Sequence, residues 1–167
     1  MAVGSRPVAL AAADLDGDGA AELVVADENA GDLRVLRAGE EGMVVGEASA
    51  AGDGPTALTT GDFDGDGRVD VVVTLAGEGA ARLFLGTGEG GLRAAGDLYA
   101  GAGPRQALAA DVDGDGALDL AVIDDLLDEA AVVLGDGAGG ARETGRWPVP
   151  AGPRDMVQRT GPEGHEL

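Results

Sequence analysis

The sequence predicts an all-β chain assembled from one tandemly repeated unit of four short strands. Three observations carry that prediction. Nearly the same ten letters occur three times, DLDGDGAAEL from Asp14, DFDGDGRVDV from Asp62 and DVDGDGALDL from Asp111, spaced by 48 and then 49 residues. A β-branched or aliphatic run follows each copy: Leu23-Val24-Val25-Ala26, Val71-Val72-Val73-Thr74 and Leu120-Ala121-Val122-Ile123. No stretch sustains a helical period, because the apolar runs are short and glycine clusters cut them every dozen or so positions.

Each unit opens on a proline seven residues before its first aspartate, at Pro7, Pro55 and Pro104. A first strand of small residues leads to the acidic loop, as in Ala9 to Ala13 and Ala107 to Ala110. The acidic loop and the second strand come next. The third strand reads Leu33-Arg34-Val35-Leu36, Arg82-Leu83-Phe84-Leu85 and Ala131-Val132-Val133-Leu134, the last two ending at the glycine turns Gly86-Thr87-Gly88 and Gly135-Asp136-Gly137. A fourth strand with a weaker pattern precedes the next proline. The units fall at about 5–52, 53–101 and 102–150 within one domain of 167 residues, a length that suits a single core. The pattern restarts at Pro153, with Arg154-Asp155-Met156-Val157 as a first strand, and its loop is degenerate. Thr160 stands where an aspartate belongs, and only Glu163 and Glu166 remain as oxygen donors, so residues 151–167 form an incomplete fourth repeat without a metal site.

The acidic loop poses a coordination problem. Asp14, Asp16 and Asp18 occupy alternate positions 1, 3 and 5, so three carboxylates can converge on one centre, and a donor set made only of oxygen selects a hard cation such as Ca²⁺. Position 7 offers the Ala20 carbonyl and position 9 the Glu22 carboxylate. The second loop offers Asp62, Asp64, Asp66, the Arg68 carbonyl and Asp70, and the third Asp111, Asp113, Asp115, the Ala117 carbonyl and Asp119. Three Ca²⁺ sites are therefore expected. Gly17 and Gly19 give the first loop the backbone freedom to curl. Aspartate and glycine also mark ordinary solvated turns, but three copies in register favour the metal. An EF-hand is excluded because position 12 is Val25, Val73 or Val122 instead of glutamate, and because strands follow where helices are required.

These residues resemble the FG-GAP or VCBS repeat, found in integrin α-subunit propellers and in many secreted bacterial proteins, where DxDGDGxxD bridges two strands of a blade. The likeness covers almost the whole chain, with Glu22 as its one departure at a ligand position. It implies a β-propeller of four-stranded antiparallel blades, about three blades plus the first strand of a fourth. It also implies that the calcium is structural and not catalytic. The small first strands suit the crowded centre of such a ring. Propellers close with about four to eight blades, so three make an open arc. Either the chain is a piece of something longer, or two copies meet as a homodimer that closes a ring.

Composition narrows the function further. The chain is 44% hydrophobic with only four aromatic residues, so the core is aliphatic. The formal charge of −20 includes twelve proposed ligand carboxylates, and three Ca²⁺ would bring it to −14; nucleic acid and anionic membranes are excluded as partners. No run approaches the roughly 20 apolar residues of a membrane span. Cysteine is absent, so the redox compartment is unreadable, and the first 13 residues carry no secretory signal. Calcium sites of this type point to an extracellular, cell-surface or periplasmic setting, and the Ala, Gly, Val and Arg usage to a GC-rich bacterial genome.

An enzyme has little support. His165 is the single histidine, Ser5 and Ser49 are the only serines, and every basic residue is arginine. Asp124 and Asp125 read as the end of a strand and not as a glycosidase pair. Tyr99 and Trp147, at matching places before Pro104 and Pro153, are assigned to packing between blades over sugar stacking. The leading expectation is a binding or adhesion module for a protein or glycan. A non-catalytic or partial segment of a secreted carbohydrate-active enzyme and an engineered half-propeller are its alternatives.

Overall fold

The structure, a computed structural model, describes residues 4–153 together with Met156. Twelve strands make three four-stranded antiparallel sheets, each from four strands consecutive in sequence. The first sheet holds β1 (Pro7–Ala13), β2 (Glu22–Asp27), β3 (Asp32–Gly39) and β4 (Gly42–Ala50). The second holds β5 (Pro55–Gly61), β6 (Asp70–Leu75), β7 (Ala80–Gly86) and β8 (Leu92–Ala100). The third holds β9 (Pro104–Ala110), β10 (Asp119–Asp124), β11 (Glu129–Gly135) and β12 (Ala141–Pro148). The all-β expectation holds, and the described residues contain no helix.

Register is conserved between sheets along with sequence spacing. Leu23 pairs with Leu36, Val71 with Phe84 and Leu120 with Val133, so corresponding side chains leave corresponding faces. The sheets pack face to face, and they meet chiefly through their first strands, β1 on β5 and β5 on β9, while the fourth strands diverge. Small side chains such as Ala9, Ala57 and Ala107 permit that close approach at the narrow edge.

Period-two alternation on a strand buried on both sides divides the interior into two cores. Leu33 and Val35 of the first sheet meet Val71, Val73, Leu75 and Phe84 of the second in one core. Val72, Leu83 and Tyr99 of the second sheet meet Leu120, Val122 and Val133 of the third in the other. Neighbouring residues of β6 thus serve different cores, and all six of its residues are buried. The fourth strands, weakest in the sequence, are eight or nine residues long and mostly exposed. Their signal is weak because an outer edge strand has little apolar surface to bury.

Tyr99 lies in the joint between the second and third sheets, buried, as a packing role requires. Trp147 is half-exposed on the third sheet. Of the incomplete fourth repeat, Arg154, Asp155, Val157, Thr160, Glu163, His165 and Glu166 lie outside the described residues. The Met156 carbonyl accepts a hydrogen bond of 3.4 Å from the Gln106 side chain on β9.

Candidate metal centre

Each acidic loop connects the first and second strands of its sheet, and the loops lie at the rim where first strands end. Two glycines per loop take left-handed backbone angles: Gly17 and Gly19 at φ 77° and 89°, Gly65 and Gly67 at 74° and 83°, Gly114 and Gly116 at 80° and 90°. A residue with a Cβ resists those angles, which is why the DxDGDG spacing recurs.

The first aspartate organises the curl. Asp14 accepts the amides of Gly17 at 2.7 Å and Gly19 at 2.9 Å through its two carboxylate oxygens. Asp62 does the same for Gly65 and Gly67, and Asp111 for Gly114 and Gly116. The fifth position then accepts the amide two residues on: Asp18 from Ala20, Asp66 from Arg68 and Asp115 from Ala117. These bonds bring three carboxylates together in every loop, with one oxygen from each of Asp14, Asp16 and Asp18 within 4.8 Å of the others. The same holds for Asp62, Asp64 and Asp66, and for Asp111, Asp113 and Asp115. At about 4 Å two like charges repel by about 1 kcal/mol in bulk water and about 4 kcal/mol at an effective dielectric constant near 20. Three such pairs per loop oppose the gain from the amide bonds, and a divalent cation reverses their sign. The donor chemistry, oxygen only and anionic, fits Ca²⁺.

The acid at position 9 stands outside that trio. Glu22, Asp70 and Asp119 open the second strands, are buried, and turn carboxylate oxygens toward backbone amides. Asp70 accepts from Phe63 at 2.8 Å and from Gly86 at 2.9 Å, tying the loop to the end of the third strand. Asp119 makes the same two ties, to Val112 and Gly135. Burial, together with the nearby charges of Asp64 and Asp66, keeps the Asp70 carboxyl above its ordinary range despite those two amides. Glu22 accepts from Leu15 at 2.8 Å, the counterpart of the first tie.

At position 7 the backbone amides of Ala20, Arg68 and Ala117 all bond within their loops, and the Arg68 side chain pairs with Asp66 at 3.1 Å. Sequence reasoning had no means of anticipating that a guanidinium would lie against the second cluster, since only the backbone of position 7 is specified by the motif.

A second set of buried acids escaped the motif. Asp27 and Asp124 end β2 and β10 and are almost fully buried. Asp124 accepts amides from Ala102, Gly103 and Leu127 and the Tyr99 hydroxyl at 3.0 Å. Burial pushes its carboxyl upward, but those donors together outweigh burial and hold it below the ordinary range. Burial and the charge of Asp124 push the Tyr99 phenol strongly upward, so it stays a donor. The signal was present as an acid closing an apolar run at matching places, followed each time by a second acid, Glu28 or Asp125. The second repeat has Leu75 there, which hid it.

The sequence matches the FG-GAP-like repeat family twice, over residues 14–73 and 62–122. Each match runs from one acidic loop through the next loop and its second strand, and together they cover nearly two thirds of the chain. The chain belongs to the FG-GAP-like repeat family. Comparison with curated proteins gave no match. The family accounts for the recurrence of loop and strand as one unit, and no helix of the described residues is long and apolar enough to cross a membrane.

Proposed function

We propose that this FG-GAP-like chain is an arc of β-propeller blades, stabilised by three structural Ca²⁺ ions, that works as a non-catalytic extracellular module binding a protein or glycan. The observation that carries the reading is the threefold recurrence of one trio of aspartate oxygens, each within 4.8 Å of its fellows on a loop curled by two glycines. Asp14, Asp16 and Asp18, and their counterparts in the other two loops, would hold the ions, with the Ala20, Arg68 and Ala117 carbonyls and the acids Glu22, Asp70 and Asp119 completing the donor sets. A bound ion offsets the carboxylate repulsion and so couples metal to folding. Extracellular calcium is plentiful enough to keep such exposed sites filled. The loop rim offers a ligand a surface, where a groove of about 530 Å³ opens between the second and third loops, beside Asp62, Asp115 and Asp136.

Calorimetric titration and thermal melts in Ca²⁺, Mg²⁺ and EDTA test the reading. Three Ca²⁺ per chain and a melting temperature raised by calcium well above its value in magnesium are expected. A chain that binds no calcium and melts alike in all three buffers overturns it. Incubation with a glycan panel checks the absence of catalysis, since turnover of any member would identify an enzyme.

A further inference from the structure

Each sheet is entered through a short segment that ends on its proline, and two of the three entries are held by a buried acid. The amide of Arg6, just before Pro7, donates to Asp27 at 2.6 Å, and that of Gly103, just before Pro104, to Asp124 at 3.0 Å. In both cases the acid ends the second strand, opposite the proline. The second sheet has Leu75 there, paired with Pro55, so the amide of Gly54 has no carboxylate to meet. Among the described residues that amide donates to no acceptor, although the Gly54 carbonyl accepts from Ala76 at 2.8 Å.

The same entry is the one that places an aspartate immediately before this amide, since its counterparts to Asp53 are Ser5 and Ala102. The Ala102 amide donates to Asp124, whereas the Asp53 amide turns to Glu78 at 2.8 Å. Asp53 is exposed, and among the described residues its carboxylate accepts no hydrogen bond. Seven other Asp-Gly bonds occur in the chain, and each is tied. Six lie in the acidic loops, where Gly17, Gly19, Gly65, Gly67, Gly114 and Gly116 give their amides to the first aspartate. At Asp136–Gly137 the carboxylate accepts the amides of Ala138 and Gly140, which hold it below the ordinary range and so in its charged, poorly electrophilic form.

We infer that Asp53–Gly54 is the bond at which this chain rearranges spontaneously to isoaspartate. The Gly54 nitrogen attacks Cγ of the protonated Asp53 carboxyl, the N–Cγ bond forms, the Cγ–OH bond breaks, and the amide proton leaves with the hydroxyl as water. Water then opens the succinimide. Opening at the main-chain carbonyl leaves the chain running through Cβ and Cγ, one methylene longer and unchanged in composition. Gly54 has no side chain to crowd the attacking nitrogen. The extra methylene falls in the joint between the first and second sheets, where Arg82 of β7 donates to the Ala51 carbonyl at 2.8 Å, as Arg146 of β12 does to the Ala100 carbonyl in the next joint. Glu78, which the Asp53 amide meets, also pairs with Arg82 at 2.8 Å. Rearrangement therefore loosens that joint. The inference rests neither on calcium nor on a closed ring of blades.

Peptide mapping of the protein aged at neutral pH and body temperature in calcium tests it. Isoaspartate is read as a peptide of unchanged mass and altered retention that resists a protease cutting before aspartate. A tied amide or carboxylate must first be released, so every other Asp-Gly bond should lag Asp53 about tenfold in rate. Leu75→Asp gives the Gly54 amide the acceptor of the other two entries and should slow conversion at Asp53 about tenfold. Leu75 is fully buried, so a second variant guards against misfolding. Asp53→Glu keeps the charge but closes a ring far less readily, and on ageing it should hold its melting temperature while that of the parent falls. Another Asp-Gly bond converting first, conversion spread evenly over all of them, or none at Asp53 would overturn the assignment, as would a folded Leu75→Asp protein converting as fast as the parent. A parent converted at Asp53 yet unchanged in melting would overturn the loosening of the joint.

Discussion

The middle sheet and the two outer sheets share one register but not one environment. Both faces of the middle sheet are covered, and Val71, Val72 and Val73 on β6 have no exposed surface at all. Among the described residues each outer sheet meets one neighbouring sheet, and Leu10 on the first and Trp147 on the third are exposed. Stability in such a stack is a sum of sheet and joint contributions, so a position is worth what its joint is worth. The largest test removes Phe84, fully buried between the first and second sheets. Phe84→Ala should cost about 3–5 kcal/mol from lost transfer energy and the cavity left behind. Leu10→Ala, at a side chain that is 62% exposed on the first sheet, should cost under about 1 kcal/mol. Urea denaturation of both variants decides the matter, and equal losses would refute the comparison.

The ends of the second strands sharpen the contrast. The outer sheets close with buried Asp27 and Asp124, the middle sheet with Leu75. Asp124→Leu copies the middle sheet's solution into a site whose amides at Ala102, Gly103 and Leu127 expect an acceptor, and a destabilisation of about 2–4 kcal/mol should follow. The folded-state carboxyl of Asp124 lies below the ordinary 3.8. Its contribution is therefore present in full above that value and fades as pH falls through the lower folded-state value. The variant and the parent should accordingly converge in stability under acid, and a gap that persists unchanged through that range would show that the carboxylate charge is irrelevant.

The loops differ by their neighbours. A turn of the second sheet brings Gly90 against Asp16, and a turn of the third sheet brings Gly139 against Asp64, with the Gly139 amide donating to Phe63 at 3.1 Å. The third loop has no following sheet to brace it among the described residues. An ion at one hundred times its dissociation constant stabilises by about 2.7 kcal/mol. Asp62→Asn should remove about that much calcium-dependent stability, and Asp111→Asn about 1 kcal/mol less. Thermal melts with and without EDTA read both, and an equal or larger loss at the third loop would contradict the bracing argument.

Much of this was legible beforehand for a definite reason. The motif fixes side-chain chemistry and backbone freedom together, so Asp14, Gly17 and their counterparts announce a curled loop, and the valine runs announce buried strands. The converging trio of aspartates follows from local geometry alone. What stayed hidden depends on residues distant in sequence. The amides of Gly86 and Gly135 reach the acid at position 9 across the sheet, the arginine of each joint moves from β7 to β12 between repeats, and Asp124 gathers amides from the segment before β9. None of these has a local spacing to betray it.

The finest comparison lies between the first loop and its two successors. Gly86 and Gly135 donate to Asp70 and Asp119, and a Cβ on either glycine would run into the carbonyl of Val69 or Leu118. The first repeat has Ala38 at that place and the longer Glu22 at position 9. On that ground the two departures belong together: the methyl at position 38 would press on the loop as one at Gly86 or Gly135 would, and the extra methylene of Glu22 lets it reach the Leu15 amide. Glu22→Asp alone should therefore lose about 1 kcal/mol and weaken calcium binding, although it makes the first loop resemble the others more closely. Adding Ala38→Gly should restore the loss, with a coupling of about 0.5–1 kcal/mol in a double-mutant cycle read by denaturation in calcium. Additive effects would mean that Glu22 and Ala38 are independent substitutions, and that the first site tolerates either acid on its own terms.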